Sequence, residues 1–163
     1  MKKINNLFNS LEGAYAPNTI RSYRSDFEHY ATWCRKYQYD PLDTHEDKFA
    51  DYILEMGESL TVATIQRRVA SLSSIFNLTK SINPTKEPVV ILTIKKLRRK
   101  FGKPQKQATP LTYDILTKLK NICSDDIVGL RNKLLLQLGY ETMRRRSEIC
   151  KFKFEDLQHH GNH

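Results

Sequence analysis

The chain has 163 residues, with 27 Lys and Arg against 18 Asp and Glu and a formal net charge of +9. Mean hydropathy is −0.58, no apolar run approaches the roughly 18 residues that a membrane span needs, and the opening MKKINNLFNS has no apolar stretch behind its lysines, which argues against a secretory signal. Membrane-spanning, collagen-like and low-complexity classes are excluded, leaving a soluble intracellular protein whose excess of cations suits a phosphate-rich partner.

Residues 1–14 carry no clear pattern and are expected to be a flexible lead-in. The first helix is predicted to start at Ala16-Pro17, since proline is tolerated at the first helical position. Ile20, Tyr23, Phe27, Tyr30, Cys34 and Tyr37 then recur at three- and four-residue steps, one face of a long helix with Trp33 beside it in the core. Arg21, Ser22, Arg24, Ser25 and Glu28 fall off that stripe and are expected to be exposed. A second helix opens at Thr44 with Asp47 three residues later, a weak capping box. It carries Phe49, Tyr52, Ile53 and Met56 inward and Asp51, Glu55 and Glu58 outward, and Gly57 is placed to end it in a left-handed conformation. A third helix has the cleanest period: Val62, Ile65, Val69, Leu72 and Phe76. Thr64, Arg67, Arg68, Ser71 and Ser74 are expected on the other side, a face of short polar and arginine side chains that suits a major groove. An ordinary solvated face would have the same composition. A fourth helix follows Pro88 with Val90, Ile94, Leu97 and Phe101 as its stripe, and Lys95, Lys96, Arg98, Arg99 and Lys100 crowd its C-terminal half. The helix dipole favours cations there by only about 0.3–1 kcal/mol each, so five together are better explained by phosphate contact.

Residues 103–110, with Lys103, Lys106 and two prolines, read as an interdomain linker. Beyond it Thr112 can cap a helix carrying Ile115, Leu116, Leu119 and Ile122. Asp125 and Asp126 suit the start of another, whose Leu134-Leu135-Leu136 makes it apolar nearly all round and therefore central. A short helix around residues 145–150 follows, and Lys151-Phe152-Lys153-Phe154 alternates like a first strand. Residues 111–163 are short for a domain, so this second unit is expected to be incomplete.

Charge is segregated along the chain. Residues 26–58 hold nine acids and three bases, residues 80–106 nine bases and one acid, and residues 144–153 five bases and one acid. Such blocks are the footprint of a nucleic-acid binder rather than of a uniformly charged surface. Three cysteines, Cys34, Cys123 and Cys150, are far apart with no CxxC, which predicts buried free thiols and no structural zinc. His159, His160 and His163 read as a solvated tail.

Taken in order, Asn18-Thr19-Ile20-Arg21-Ser22-Tyr23 with Trp33-Cys34, Thr64-Ile65-Gln66-Arg67-Arg68 with Leu72, Lys106-Gln107-Ala108 with Leu111-Thr112, and Gly139-Tyr140-Glu141-Thr142-Met143-Arg144-Arg145-Arg146-Ser147-Glu148-Ile149 resemble the tyrosine recombinases, or phage integrases. The resemblance runs from about residue 16 to residue 157. It implies a mainly α fold: a helical, SAM-like core-binding bundle of four to five helices over residues 15–102, then the helical start of an α+β catalytic domain over 111–163. It implies that Arg145 is the first catalytic arginine, which holds the scissile phosphate, that Glu148 supports the site from behind, and that Arg21, Ser22, Thr64 and Arg67 contact DNA. Arg24, Gln66, Arg68, Lys95, Lys96, Arg98, Arg99, Lys103 and Lys106 join them as candidate DNA contacts. Two departures stand out: the glycine usual before the arginine motif is Met143, and the usual apolar residue is Arg144.

The family's later lysine, His-x-x-Arg motif, further His or Trp, and tyrosine nucleophile would all lie beyond His163. The chain alone is therefore expected not to cleave or join DNA, as a shortened reading frame or a decayed prophage gene would have it. Double-stranded DNA is the expected partner, with other recombinase protomers on it. No membrane, metal or small-molecule cofactor is called for, and the setting is cytoplasmic and nucleoid-associated. Two further readings stay open: a regulator that pairs with an intact recombinase, and a non-functional remnant whose leucine-rich helix is poorly covered.

Overall fold

The computed structural model describes residues 2–102 and 107–156. It divides into two compact units, Met1–Pro104 and Gln105–His163. Lys103 and Lys106, with half of the segment read as a linker (residues 103–106), and the three C-terminal histidines lie outside the described residues.

The first unit is a bundle of five α-helices: α1 (Lys2–Ser10), α2 (Pro17–Lys36), α3 (Glu46–Gly57), α4 (Val62–Thr79) and α5 (Pro88–Phe101). Proline opens α2 at its first turn, and the hydroxyl of Thr61 opens α4 by accepting from the Thr64 N–H at 3.3 Å. Lys80 ends α4 in the left-handed region, at φ 52°. The core is aromatic at its centre. The Tyr30 ring meets Phe49, Tyr52 and Phe76 at centroid distances of 5.3, 5.0 and 6.1 Å. Ile53, Ile65, Leu72, Ile75 and Val90 close around them. Edge-on and tilted aromatic pairs of this kind stabilise beyond their buried area.

Three expectations need correction here. Residues 2–10 are not a loose lead-in but a helix, because Ile4, Phe8 and, just beyond it, Leu11 fall at helical spacing and are buried against the bundle. The cap of α3 is His45, whose ring nitrogen faces the Asp47 N–H; Thr44 is instead buried and donates its hydroxyl to the Asp40 carbonyl at 2.6 Å. Gly57 is the last residue of α3 and is followed by a right-handed cap, not a left-handed one. Its glycine is needed for packing: a Cβ there would come within 2.9 Å of a Leu97 methyl where α3 meets α5.

The second unit contains α6 (Tyr113–Ile122), α7 (Ile127–Thr142) and the short α8 (Arg146–Ile149). Thr112 caps α6 and Asp126 caps α7, the latter accepting from the Gly129 N–H at 2.7 Å. Leu116 is the sole buried hydrophobic among its described residues. α7 is not central as its composition predicts: Leu130 and Leu134 are exposed, and Ile127 is 86% exposed. Residues 151–154 form no strand; a turn at Lys151 leads to a 3-10 turn at Phe154–Asp156, and no strand is present among the described residues to pair with them. The cysteines differ likewise. Cys34 is buried, Cys123 half-buried and Cys150 exposed, all as free thiols. Cys150 follows directly on α8, a helix with no buried residue to shelter it.

Candidate nucleic-acid interface

The arginine-bearing side of α4 is joined to α2 by one acid. Asp26 is only 2% exposed, and its carboxylate accepts from both terminal nitrogens of Arg67, at 2.6 and 3.0 Å, across 41 residues of chain. The Arg68 Nε lies 3.6 Å from the same carboxylate. A bidentate guanidinium–carboxylate pair is short, directional and charge-assisted. Arg67 keeps 52% of its side chain exposed, so it lies at the surface end of the seam.

Arg68 departs from the sequence reading. Its side chain is only 18% exposed and reaches inward to Asp26 and to the Met56 sulfur. Position 68 stands three residues after Ile65 and four before Leu72, which puts its Cβ on the buried side of the helix. Ser71 is buried for the same reason and bonds the Arg67 carbonyl at 3.2 Å. Gln66 is exposed, and Thr64, half-buried, shares a 2.9 Å hydroxyl contact with Thr61. Burial and the nearby Arg68 charge push the His29 imidazole below its ordinary pKa; its Nδ1 is 2.9 Å from the Tyr52 hydroxyl.

On α2, Arg21, Ser22 and Ser25 are exposed, with Ser22 one turn before Asp26. Arg24 is exposed too, but its guanidinium lies over the Phe8 ring, 4.6 Å from the centroid, a cation–π contact that ties α2 to α1. On α5, Lys95, Lys96, Arg98 and Arg99 are all exposed, and none makes a hydrogen bond or ion pair among the described residues. The acids of α3 are used differently. Glu55 accepts from the Trp33 indole at 2.7 Å, the Tyr37 hydroxyl at 3.0 Å and Lys36 at 3.1 Å, and these bonds hold its carboxyl below the ordinary glutamate range.

In the second unit Arg145 precedes α8, 86% exposed on its side chain. Glu148 reaches back to accept from the Arg145 N–H at 3.2 Å and stands 3.4 Å from its guanidinium. This capping-box contact fixes the start of α8 and orients the arginine. Met143, just before it, is left-handed at φ 49°. The departure at this position therefore puts a side chain where the backbone favours glycine.

Asp26 is the residue of this seam that the charge pattern hides, since along the chain it falls within the acidic block. Its signal is positional: three residues after Tyr23 and four before Tyr30, it is an acid on an apolar stripe.

Residues 5–81 match the phage integrase N-terminal SAM-like domain. The chain is 28% identical over 151 residues to an integrase/recombinase XerD homolog of Selenomonas ruminantium, covering 90% of this chain and 44% of that protein. It is 23% identical over 150 residues to the recombinase Cre of Escherichia phage P1, covering 88% and 44%. It is 29% identical over 156 residues to the tyrosine recombinase XerC of Thermodesulfovibrio yellowstonii, covering 90% and 47%. The chain thus spans about half the length of the curated relatives it matches. With the helical bundle, the arginine-bearing α4 and these similarities in agreement, the first unit carries a phage integrase N-terminal SAM-like domain, and the chain as a whole is similar to the tyrosine recombinases.

Proposed function

We propose that this chain is the DNA-gripping segment of a site-specific tyrosine recombinase, acting in DNA integration and recombination. It binds double-stranded DNA through the α2–α4 seam and the cations of α5. Arg21, Ser22, Gln66 and Arg67 face the duplex at the seam. Lys95, Lys96, Arg98 and Arg99 hold phosphates, with Lys103 and Lys106 following the backbone. The observation that carries this reading is the group of five exposed α5 cations, Lys100 among them, without an ion-pair partner among the described residues. Like charges crowded on one helix repel, and a polyanion relieves that repulsion.

Arg145, oriented by Glu148, is the phosphate-holding arginine of a partial catalytic site. A guanidinium can pair bidentately with the non-bridging oxygens of a phosphate and stabilise developing charge. Several tyrosines are poor candidates for the nucleophile that would act with such an arginine. Tyr30 and Tyr52 are fully buried, and desolvation pushes both hydroxyls well above their ordinary range. Tyr113 and Tyr140 pack against each other at 6.3 Å. Fluorescence anisotropy with duplex DNA from the flanks of the gene, against a scrambled duplex and across a salt series, tests the reading. Tight binding with a steep negative salt slope and preference for the flanking duplex supports it. No binding at about 50 mM salt refutes it, since electrostatic contacts are strongest there.

A second reading is favoured by the exposed apolar residues of α7, Ile127, Leu130 and Leu134. They suit a protein partner such as an intact recombinase protomer. Co-purification with a full-length relative in the absence of DNA would carry that reading.

A further inference from the structure

Asp26 is an awkward residue to bury for stability alone. A buried ion pair gives back much of its attraction as desolvation, and apolar side chains of similar volume often stabilise as well or better. Its stripe neighbours Tyr23 and Tyr30 show what the position would otherwise hold. The carboxylate also does not neutralise its surroundings. It stands between two guanidiniums, Arg67 and Arg68, so the seam keeps one net positive charge.

What the pair does accomplish is orientation. A guanidinium has five N–H donors in a rigid plane. Asp26 takes one from each terminal nitrogen of Arg67, and three are left, the Nε–H among them. Arg67 remains half-exposed, and its one-turn neighbours on α4, Ala63 and Ala70, are small and exposed. The free edge of the guanidinium is therefore open to approach. An arginine fixed in this way has lost its rotamer freedom at folding instead of at binding.

We propose that Asp26 is a positioning residue for DNA reading: its buried carboxylate clamps the inner edge of Arg67 so that the outer N–H fork is presented, preformed, to a base edge in the major groove. The inference rests on the DNA-binding function proposed above. An N–H fork of this kind matches the two acceptors of guanine, O6 and N7.

The test uses the full chain and a pool of randomised duplexes, from which bound molecules are recovered and sequenced, with a thermal melt of each variant alongside. Arg67→Ala should erase preference at one base pair by about 5- to 150-fold while leaving other positions intact. Asp26→Asn should erase preference at that same base pair, with total affinity at low salt unchanged or higher because a negative charge is gone. The double variant should discriminate no worse than either single one. Arg67→Lys keeps the charge opposite Asp26 but has no fork, and should bind without that preference. If Asp26→Asn does not fold, Asp26→Glu, which keeps the charge and displaces the carboxylate, carries the same comparison.

An Asp26→Asn chain that melts lower yet keeps full discrimination would overturn the proposal and leave Asp26 a structural residue. Full discrimination by Arg67→Lys would overturn it too. Binding of the unaltered chain with no base preference removes the positioning role alone, whereas no binding at about 50 mM salt removes the DNA-binding function with it.

Discussion

Replacing the α5 cations should change the salt dependence of DNA binding by an amount the helix geometry sets. At 100° per residue, the buried Val90, Thr93 and Leu97 fix the inner side of α5. Lys95 and Arg99 then lie nearly opposite that side, Lys96 about 100° round from Lys95, and Arg98 about 60° away in the other direction. Lys95 and Arg99 therefore share one arc of the surface that a single phosphate backbone can follow, and Lys96 and Arg98 flank it about 80° to either side. Each phosphate contact contributes about −0.9 to the slope of log K against log salt. Converting Lys95 and Arg99 to alanine should flatten the slope by about 1.8. Between 50 and 200 mM salt the unaltered chain should lose about 12-fold more affinity than this double variant, the product of about 3.5-fold per contact. Lys96→Ala and Arg98→Ala, at the two flanks of the arc, should each change the slope by about 0.9 at most. The assay is fluorescence anisotropy with a labelled duplex over a salt series, and the weakening should be uniform across duplex sequences. A slope unchanged in the Lys95/Arg99 double variant would refute the assignment of α5 to the phosphate backbone. A loss of base preference would refute the division of labour between α5 and the α2–α4 seam.

Three other outcomes follow from the structure. Met143→Gly should stabilise the α7–α8 junction by about 0.5–1 kcal/mol, because a side chain in the left-handed region costs about 1–2 kcal/mol and glycine's extra backbone entropy returns part of it; slower amide exchange at residues 142–149 is the readout. The clasp on Glu55 should open in acid. Its folded pKa lies below the unfolded value, through the indole of Trp33, then Lys36 and Tyr37, so its contribution is complete above the unfolded pKa and is lost as pH falls through the lowered one. Trp33, the single tryptophan, should report this as an emission shift below about pH 4, and Glu55→Gln should abolish the pH-dependent step. Finally, a thiol reagent under native conditions should label Cys150 first, while Cys34, buried and with its thiol pKa pushed up by desolvation, should react only on unfolding; labelling of Cys34 at the rate of Cys150 would contradict its burial.

Much of the fold was legible because helices announce themselves through period. The stripes of α2, α4 and α5, the proline at the start of α2, and the hydroxyl and carboxylate caps at Thr112 and Asp126 are local patterns that local physics decides. The arginine motif was legible in the same way, since Glu148 stands at the spacing from Arg145 that a capping contact requires. Where reading along the chain failed, the deciding partner lay elsewhere in space. Ile4, Phe8 and Leu11 are too few for a stripe and are helical because the bundle offers a surface to bury them. Gly57 looked like a helix stop and is instead a gap for Leu97. The leucines of α7 predicted a centre, but composition says only that a helix could be buried, not that its unit has enough other apolar surface to cover it.

The amino-acid sequence by itself determined the helical class, the blocks of charge and the resemblance to the tyrosine recombinases, because each depends on residue order and spacing alone. Only the tertiary structure decided what each charge does. Helix α4 brings Arg67 and Arg68 against an acid 41 residues away from Arg67, turning one arginine inward and leaving the other at the surface with its inner edge held. A charge is a property of the residue, but its counter-charge and its burial are set by the packing of α2 against α4.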